Sequence, residues 1–209
     1  MERELRQWLW RKRFKLSKFC FFMESNFLNA KKKQLSKSDK SSIGSWDKKI
    51  AGLCNKINKK KNYYTTSSCA GRVVLLKASD VKQPDAFLFR THEKIKLEEL
   101  KKVIERISKE YNGLVEFQQS CCILHIACLS LNDAQEILTK AKLAGWQRSG
   151  IIGGKRNIVE LHSTESMSFP IMDKGRLLVD DYFLKLVVEQ ANNKLERVWN
   201  KIERLRSAV

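Results

Sequence analysis

The chain has 209 residues, of which 43% are hydrophobic and 31% charged, a composition typical of a globular protein rather than a disordered one. It carries a formal net charge of +18, from 41 Lys or Arg against 23 Asp or Glu. This excess favours binding to RNA, although a solvated basic tail or an anionic membrane surface would also account for it. No apolar run approaches the roughly 20 residues of a membrane span.

The cysteines indicate a reduced, cytoplasmic protein. They are Cys20, Cys54, Cys69, Cys121, Cys122 and Cys128. No CxxC pair occurs among them, so the sequence indicates neither a zinc ribbon nor a thioredoxin-like motif. Scattered thiols without a secretory signal are most simply read as free thiols in the cytoplasm.

The first third of the chain holds most of the positive charge, with 18 basic and 5 acidic residues before position 62. Residues 1–23 form a basic, aromatic extension that we expect to be disordered or dispensable. A transit peptide or a membrane-surface helix would share this composition, and Met23 offers an alternative translation start. We predict a single α+β domain over residues 24–209.

The first predicted elements are two helices and two strands. Residues 24–45 indicate a short helix followed by a polar loop, and Ser45 is placed to cap a helix over about 46–60. The segment YYTTSSCAGRVVLLK is strand-like with a small-residue break in its middle. A turn around KASDVKQPDA leads to a strand in DAFLFRTH.

The middle of the chain alternates clear helices with strands. Apolar spacing predicts a helix over 97–111 ended by Gly113, then one strand over about 114–128. A further helix follows over about 132–143, with Asn132 or Asp133 near its start and Gly145 just past its end.

The last elements are two more strands and a long helix. The strands fit QRSGIIGGKRNIVELHS and the LLV of GRLLVDD, and the helix begins at Asp180 or Asp181. Its outer half, KLERVWNKIERLR, is basic and is interpreted as projecting from the body. Its apolar stripe consists of Leu184, Val187, Val188, Ala191, Leu195, Val198, Ile202 and Leu205. The mixture predicts an α+β fold with a mixed β-sheet packed with helices.

The most unusual segment is TTSSCAGR at residues 65–72. Ser67 and Ser68 offer hydroxyl donors, Gly71 permits a close backbone approach, and Arg72 presents a planar fork for a phosphate or carboxylate. A Ser/Thr-rich edge strand whose arginine is only surface charge is the competing interpretation.

This segment resembles the S-x-S-S-C-x-G-R signature of the third tRNA wybutosine-synthesising protein family, found in eukaryotes and archaea. The likeness continues in order through FLFRTH, ILHIAC, AGWQRSGI, GKRNIVELHST and FPIMDKGRLLVDDYFLKLV, and upstream through KKKQLSKSDKSSIGSWD. It covers about residues 27–207. The chain departs from many relatives at QQSCCILH, where they carry Glu-Pro.

The resemblance implies an S-adenosylmethionine-dependent tRNA methyltransferase. Its relatives methylate the N4 nitrogen of a demethylwyosine derivative, immediately 3′ of the anticodon of phenylalanine tRNA. The implied reaction site comprises Ser67, Ser68, Cys69, Gly71 and Arg72, with Ser149 and Gly150 added on the cofactor side. Arg72 would anchor the cofactor's carboxylate or the RNA, and Cys69 would shape the pocket.

The sequence itself limits the mechanism. No glycine-rich fingerprint follows a strand, so a Rossmann-type cofactor site is not expected. GIIGGKR is not a phosphate-binding loop of the GxxxxGK(S/T) kind, because Ser149 stands in place of the first glycine and Arg156 in place of Ser or Thr. Removing the proton of the acceptor nitrogen needs a base, for which His92 and His125 are the candidates. Either could instead be a structural histidine, and His162 is read as a surface residue.

Several weaker interpretations stay open. Cys69, His92 and His125 could bind zinc in principle, but three scattered ligands do not predict a metal site. Tyr63, Tyr64 and Trp146 could stack on the tricyclic base or belong to the core. Attraction for the anticodon stem is assigned to Lys31–Lys33, Lys59–Lys61 and the terminal helix. The alternative function is a non-catalytic basic tRNA-binding module that assists a partner enzyme.

Overall fold

The computed structural model describes residues 23–36, 47–78, 85–153 and 157–209. Its helices are α1 (23–35), α2 (Lys48–Lys59), α3 (Leu97–Glu110), α4 (Leu131–Leu143) and α5 (Asp181–Ala208). Its strands are β1 (Tyr63–Cys69), β2 (Arg72–Lys77), β3 (Phe87–Thr91), β4 (Val115–Ser120), β5 (Ile123–Cys128), β6 (Gly150–Ile151), β7 (Asn157–His162), β8 (Met167–Asp173) and β9 (Arg176–Leu177).

The strands form two sheets. Sheet A has the order β1-β5-β7-β6, and sheet B has the order β3-β2-β4-β8-β9. The predicted α+β class and the long C-terminal helix are confirmed. The expected mixed sheet is corrected, because every strand pairing in the described residues is antiparallel.

Three segments of the chain cross between the sheets side by side. The first is the predicted small-residue break, where β1 ends in sheet A and β2 begins in sheet B. Gly71 makes this crossing with a φ of +88°. The second crossing is at Cys121 and Cys122, so the prediction of one strand over 114–128 is wrong. The third runs from the end of β7 in sheet A to the start of β8 in sheet B, beside the second crossing, because His162 pairs with Ile123 and Met167 pairs with Gln119. The three crossings place the ends of six strands at one junction.

Each sheet packs one face against helices. Sheet A, α2, α4 and the second half of α5 enclose one hydrophobic cluster, and sheet B, α3 and the first half of α5 enclose another. All eight predicted stripe residues of α5 are buried. Its outer half therefore does not project, because Val198, Ile202 and Leu205 are each 0% exposed in the sheet A cluster.

The helix ends follow local capping chemistry. Ser130 and Asp133 form a capping box at the start of α4, and Gly145 just past its end has a φ of +97°. The carboxylate of Asp180 accepts a hydrogen bond from the Phe183 backbone N–H at the start of α5. The helix α3 ends at Glu110, before Gly113, because the next residue is already extended.

The remaining differences concern one strand and the segments outside the described residues. Strand β8 was not predicted. The expected extension over residues 1–23 lies outside the described residues except for Met23, which is helical. Parts of the predicted Lys/Ser loop with Ser45, the KASDVKQPDA turn and the GIIGGKR turn also lie outside them. Among the helices that the structure describes, none is long and apolar enough to cross a membrane.

Candidate active site at the junction of the two sheets

The face of sheet A opposite α2, α4 and α5 carries polar side chains beyond the end covered by α1, and we call it the open face. A β-bulge between Thr65 and Ser67 changes which side chains of β1 point to it. Thr65 pairs with the buried Ile126, whereas Ser67 pairs with His125. Ser67 and Cys69 therefore share the open face. Because side chains alternate along a strand, Ser68 points the other way.

Ser68 is thus separated from the neighbouring signature residues. Its hydroxyl oxygen is buried on the side of α2, where it contacts the Cys54 thiol. This position gives Ser68 a place in the packing beneath the sheet rather than among the groups on the open face.

His125 is held between a hydroxyl and a carboxylate. Its Nδ1 lies 2.8 Å from the Ser67 Oγ, and its Nε2 lies 2.9 Å from the Glu160 Oε2. Glu160 is the residue opposite His125 in the pairing of β5 with β7. A carboxylate only accepts hydrogen bonds, so Nε2 carries the proton and Nδ1 accepts from the Ser67 hydroxyl. This is the geometry of a hydroxyl activated by an oriented base.

His92 lies just after β3 and meets Asp47, the residue before α2. The Asp47 Oδ2 is 3.0 Å from the His92 Nδ1 and accepts a 2.8 Å hydrogen bond from the Ala70 N–H. Burial would raise the pKa of Asp47, but the interactions with His92, Ala70 and Arg72 outweigh it and lower the pKa. Interaction with Asp47, followed by that with Cys69, raises the pKa of His92 to about 9. His92 is then a cation at neutral pH, which favours His125 as the base.

Gly71 and Arg72 form the start of sheet B at the same junction. A Cβ on Gly71 would lie 3.0 Å from the Ser120 carbonyl oxygen and 3.3 Å from Leu195. The positive φ and this close approach both require glycine. The guanidinium of Arg72 lies 5.2 Å from the Phe87 ring centre. Its Nε is buried and has no hydrogen-bond acceptor among the described residues.

The predicted pair Ser149 and Gly150 lies at the far edge of sheet A. The Ser149 hydroxyl donates to the Trp146 carbonyl at 2.7 Å and accepts from the His162 N–H at 3.0 Å, which fixes the local turn. Gly150 pairs with Glu160, and a Cβ there would meet no atom within 4 Å. Ser149 is therefore engaged in structure, while Gly150 leaves open space beside the Glu160 carboxylate.

Sequence reasoning missed Asp47, Glu160 and the contact between Cys121 and His162. The Cys121 Sγ lies 3.3 Å from the His162 Nδ1, so this histidine is partly buried rather than purely a surface residue. Burial raises the pKa of the Cys121 thiol. The available signal was the alternation in NIVELH, which puts an acid and a histidine on one face of a strand. The alternation in the sequence does not give the strand register that places Glu160 opposite His125.

The aromatic candidates for base stacking belong to the protein interior. Trp146 is 0% exposed and donates its indole N–H to the Lys201 carbonyl. Tyr63 is buried and donates its hydroxyl to the Asp133 carbonyl. Tyr64 is buried against Phe27 of α1, at 5.1 Å between ring centres. The core interpretation of these residues is the one that the packing supports.

Asp47, Cys69 and His92 offer ligand atoms within 4.8 Å of one another, a spacing that could hold a metal ion. This set differs from the one considered in the sequence, because His125 is engaged by Ser67 and Glu160. A protonated His92 and the nearby Arg72 place positive charge around the same point. The arrangement is therefore better explained as an ion pair flanked by a thiol.

Comparison with known proteins finds relatives that cover most of the chain. A chain from Thermococcus sibiricus, named as a tRNA(Phe) 7-((3-amino-3-carboxypropyl)-4-demethylwyosine(37)-N(4))-methyltransferase, is 37% identical over 90% of this chain and 97% of its own length. A Danio rerio tRNA wybutosine-synthesizing protein 3 homolog is 34% identical, over 86% of this chain and 72% of its own.

The fold is likewise similar to a solved one. The structure of the PH1069 protein from Pyrococcus horikoshii aligns with a TM-score of 0.78 and 32% identity, covering 88% of this chain and 94% of that one. The family model described as Methyltransferase TYW3 matches residues 26–209. This match spans both sheets, the junction between them and all of α5, and the chain belongs to the methyltransferase TYW3 family.

Proposed function

We propose that this protein transfers a methyl group from S-adenosylmethionine to the N4 nitrogen of a demethylwyosine-type base in phenylalanine tRNA. The family and the names of its relatives support a tRNA methyltransferase of wybutosine synthesis. The single observation that carries the chemistry is the hydrogen-bonded row of Ser67, His125 and Glu160 on the open face. A purely RNA-binding surface has no need of such an arrangement.

Gly71 and Arg72 fit the donor at the junction. The buried Arg72 Nε still has a hydrogen to donate to an acceptor from outside the described residues. A carboxylate such as that of a methionine group matches the guanidinium fork, and Gly71 keeps the adjacent backbone free of a side chain. S-adenosylmethionine, when bound, supplies an electrophilic methyl group.

The residues on the open face remove the acceptor's proton. The proton on the ring nitrogen passes to the Ser67 Oγ as the Ser67 hydroxyl proton passes to the His125 Nδ1. The Glu160 carboxylate stabilises the imidazolium that forms, because it already holds the opposite ring nitrogen. The nitrogen lone pair would then form the new N–C bond as the methyl–sulfur bond of the donor breaks, which leaves a neutral thioether. Alignment of the reacting atoms accounts for the remaining rate enhancement.

His92 has a different role in this proposal. Held by Asp47 and positively charged at neutral pH, it adds a fixed cation beside Cys69. Such a cation attracts the anionic groups of the RNA or of the donor without exchanging protons. Catalysis by this protein is proposed to take place in the cytoplasm, on the anticodon loop.

The decisive experiment measures transfer of a labelled methyl group to tRNA isolated from cells that lack this modification step. We expect the wild-type chain to label phenylalanine tRNA, and Ser67→Ala, His125→Asn and Glu160→Gln to label it much more slowly. Fully modified tRNA is the control and should accept no label. Absence of labelling by the wild-type chain, where the Thermococcus sibiricus relative succeeds, would exclude the enzymatic proposal.

Calorimetry with S-adenosylmethionine separates the enzyme from a non-catalytic tRNA-binding module. We expect binding to the wild-type chain and loss of most of it in Arg72→Gln, because the fork would lose its charge and its Nε donor. A chain that binds tRNA but gives no heat with S-adenosylmethionine would support the tRNA-binding module instead.

A further inference from the structure

Phe87 is an exposed aromatic side chain with two arginines beside its ring. The guanidinium carbon of Arg72 lies 5.2 Å from the ring centre and that of Arg90 lies 5.5 Å from it. The Phe87 residue is 44% exposed, although it belongs to a strand of sheet B. We call these three residues the Phe87 platform.

The platform adjoins the candidate active site. Arg72 follows Gly71 directly, so its backbone lies at the junction while its side chain reaches the Phe87 ring. Arg90 pairs with Val74, two residues further along β2. Side chains at positions 72, 74 and 76 alternate away from Val73 and Leu75, which face the core. The platform therefore lies on the face of sheet B opposite its helices.

The charge of the platform suits a polyanion. Asp85, the acid nearest to Phe87 in the sequence, is paired with Lys77 at 2.5 Å. Asp47 interacts with Arg72, so Arg90 supplies the charge of the platform for a phosphate. An isolated aromatic ring at a surface is common, but an exposed ring beside two guanidinium groups offers a stacking surface and phosphate donors at one place. Unpaired nucleotides in RNA loops are recognised by this combination.

We propose that the Phe87 ring stacks on the unpaired nucleotide adjacent to the target base, and that Arg90 binds its phosphate. This inference rests on the proposed function, because it places the anticodon loop at the junction. When the target base leaves the stack, the adjacent base loses its stacking partner on that side. The Phe87 ring takes the place of that partner. Phe87 is thus a positioning residue that fixes the loop while the target nitrogen meets Ser67.

The test uses anticodon stem-loop RNA in which 2-aminopurine replaces the nucleotide on one side of the target position, then the other. Stacking quenches 2-aminopurine, so titration with the full-length protein reports contact with a ring. The variants are Phe87→Ala, Phe87→Tyr and Arg90→Gln. The matched control is Tyr182→Ala, which removes an aromatic side chain from a residue that is 72% exposed at the start of α5.

We expect quenching of one of the two probes by the wild-type chain, its loss in Phe87→Ala and its retention in Phe87→Tyr and Tyr182→Ala. Affinity for the RNA should fall by about 5- to 100-fold in Phe87→Ala, the range for loss of one stacked base. Arg90→Gln should weaken binding and flatten its salt dependence, because one phosphate contact is lost.

Equal quenching by Phe87→Ala and the wild-type chain, with either probe, would overturn the inference. Circular dichroism spectra of the variants check that the fold is kept. The outcome is independent of methyl transfer: Phe87-dependent quenching by a chain that transfers no methyl group would keep the platform and remove the proposed enzymatic function. Methyl transfer together with quenching that does not depend on Phe87 would keep the enzymatic function and remove the platform.

Discussion

Asp47 joins three distant segments of the chain, since its carboxylate meets both the Ala70 N–H and the His92 ring. It is buried, and its negative charge is compensated by the imidazolium it stabilises. The pair therefore links the start of α2 to the end of β3 through a pH-dependent contact. Its contribution to folding follows from the pKa of each partner.

The first prediction concerns Asp47→Asn. Because the pKa of His92 is raised from 6.5 to about 9, its stabilising effect is fully present below pH 6.5 and is lost as the pH rises through 9. We expect the variant to lose about 1–2 kcal/mol near pH 6.5, less than the full linkage value because the His92 ring is partly exposed. Urea unfolding at pH 6.5, 8 and 9.5 should show the gap between the two proteins narrowing.

The same titration is visible directly by NMR, because the chain has three histidines. The His92 ring protons should titrate near pH 9 in the wild-type chain and close to 6.5 in Asp47→Asn. A His92 that titrates near 6.5 in both proteins would show that the ion pair does not form in solution.

The second prediction separates the two candidate bases. His125→Asn should lower kcat by about 10²- to 10⁴-fold, the range for loss of a general base, with little change in S-adenosylmethionine affinity. His92→Asn should affect mainly KM or stability, because a cationic imidazole does not accept the proton. Single-turnover methyl-transfer assays compare the rate constants of the two variants. A larger kcat defect in His92→Asn than in His125→Asn would reverse the assignment.

The elements show how far the sequence predicts this fold and where it stops. Every predicted helix exists in the described residues, because a 3.6-residue apolar stripe such as that of α5 is a strong local signal. The two sheets were not predicted, because the alternating pattern of a strand does not change where the chain passes from one sheet to another. Ala70–Gly71 and Cys121–Cys122 are small enough to be buried at two of the three crossings.

Strand β8 was missed for a related reason. Pro170 interrupts its sequence, and proline normally marks an edge strand or a loop. In the structure Pro170 lies at a register shift in the pairing of β8 with β4, where the missing N–H is tolerated. The candidate site shows the same limit. Local sequence patterns predict the signature and His125, whereas the positions of Glu160 and Asp47 depend on strand register and on long-range packing.

The third prediction tests the crossing at Gly71. Gly71→Ala should cost about 1–3 kcal/mol, because alanine is strained at a φ of +88° and its Cβ would approach the Ser120 carbonyl. Gly150→Ala is the matched control, since a Cβ there meets nothing within 4 Å. Urea unfolding compares the two. Equal stabilities would show that the junction tolerates a side chain and that glycine is not needed there.

At the scale of the whole molecule, α5 connects the two hydrophobic clusters. Its residues up to Leu195 lie in the sheet B cluster, and those from Val198 lie in the sheet A cluster. The interpretation of a projecting outer half relied on its basic composition. The charges belong to its exposed face, while the stripe beneath them is fully buried.

The fourth prediction follows from this packing. Ile202→Ala should destabilise the protein by about 2–5 kcal/mol, because the side chain is 0% exposed and leaves a cavity. Arg204→Ala, on the exposed face of the same turn, should change the stability by less than about 0.5 kcal/mol. Denaturant unfolding of both variants distinguishes a packed helix from a projecting one, for which the two substitutions would be equally mild.

The last prediction concerns which part of this +18 protein binds the phosphates of tRNA. Helix α1 lies beside β1, where the Gln34 side chain donates to the Thr66 carbonyl next to Ser67. Lys32 and Lys33 are exposed near the end of this helix, whereas Lys102 and Lys109 are exposed on α3, against the core face of sheet B. If RNA approaches the open face, the α1 pair contacts phosphates and the α3 pair does not.

Replacing Lys32 and Lys33 with glutamine should therefore reduce the slope of log K for tRNA against log salt concentration by about 1.4 to 1.8, near 0.7–0.9 for each lost phosphate contact. The same replacement at Lys102 and Lys109 removes equal charge and should leave the slope almost unchanged. Since general electrostatic attraction would weaken alike in both variants, a difference between them reports the docking face. Equal reductions would mean that the tRNA is held by the overall field of the protein and not at α1 beside the active site.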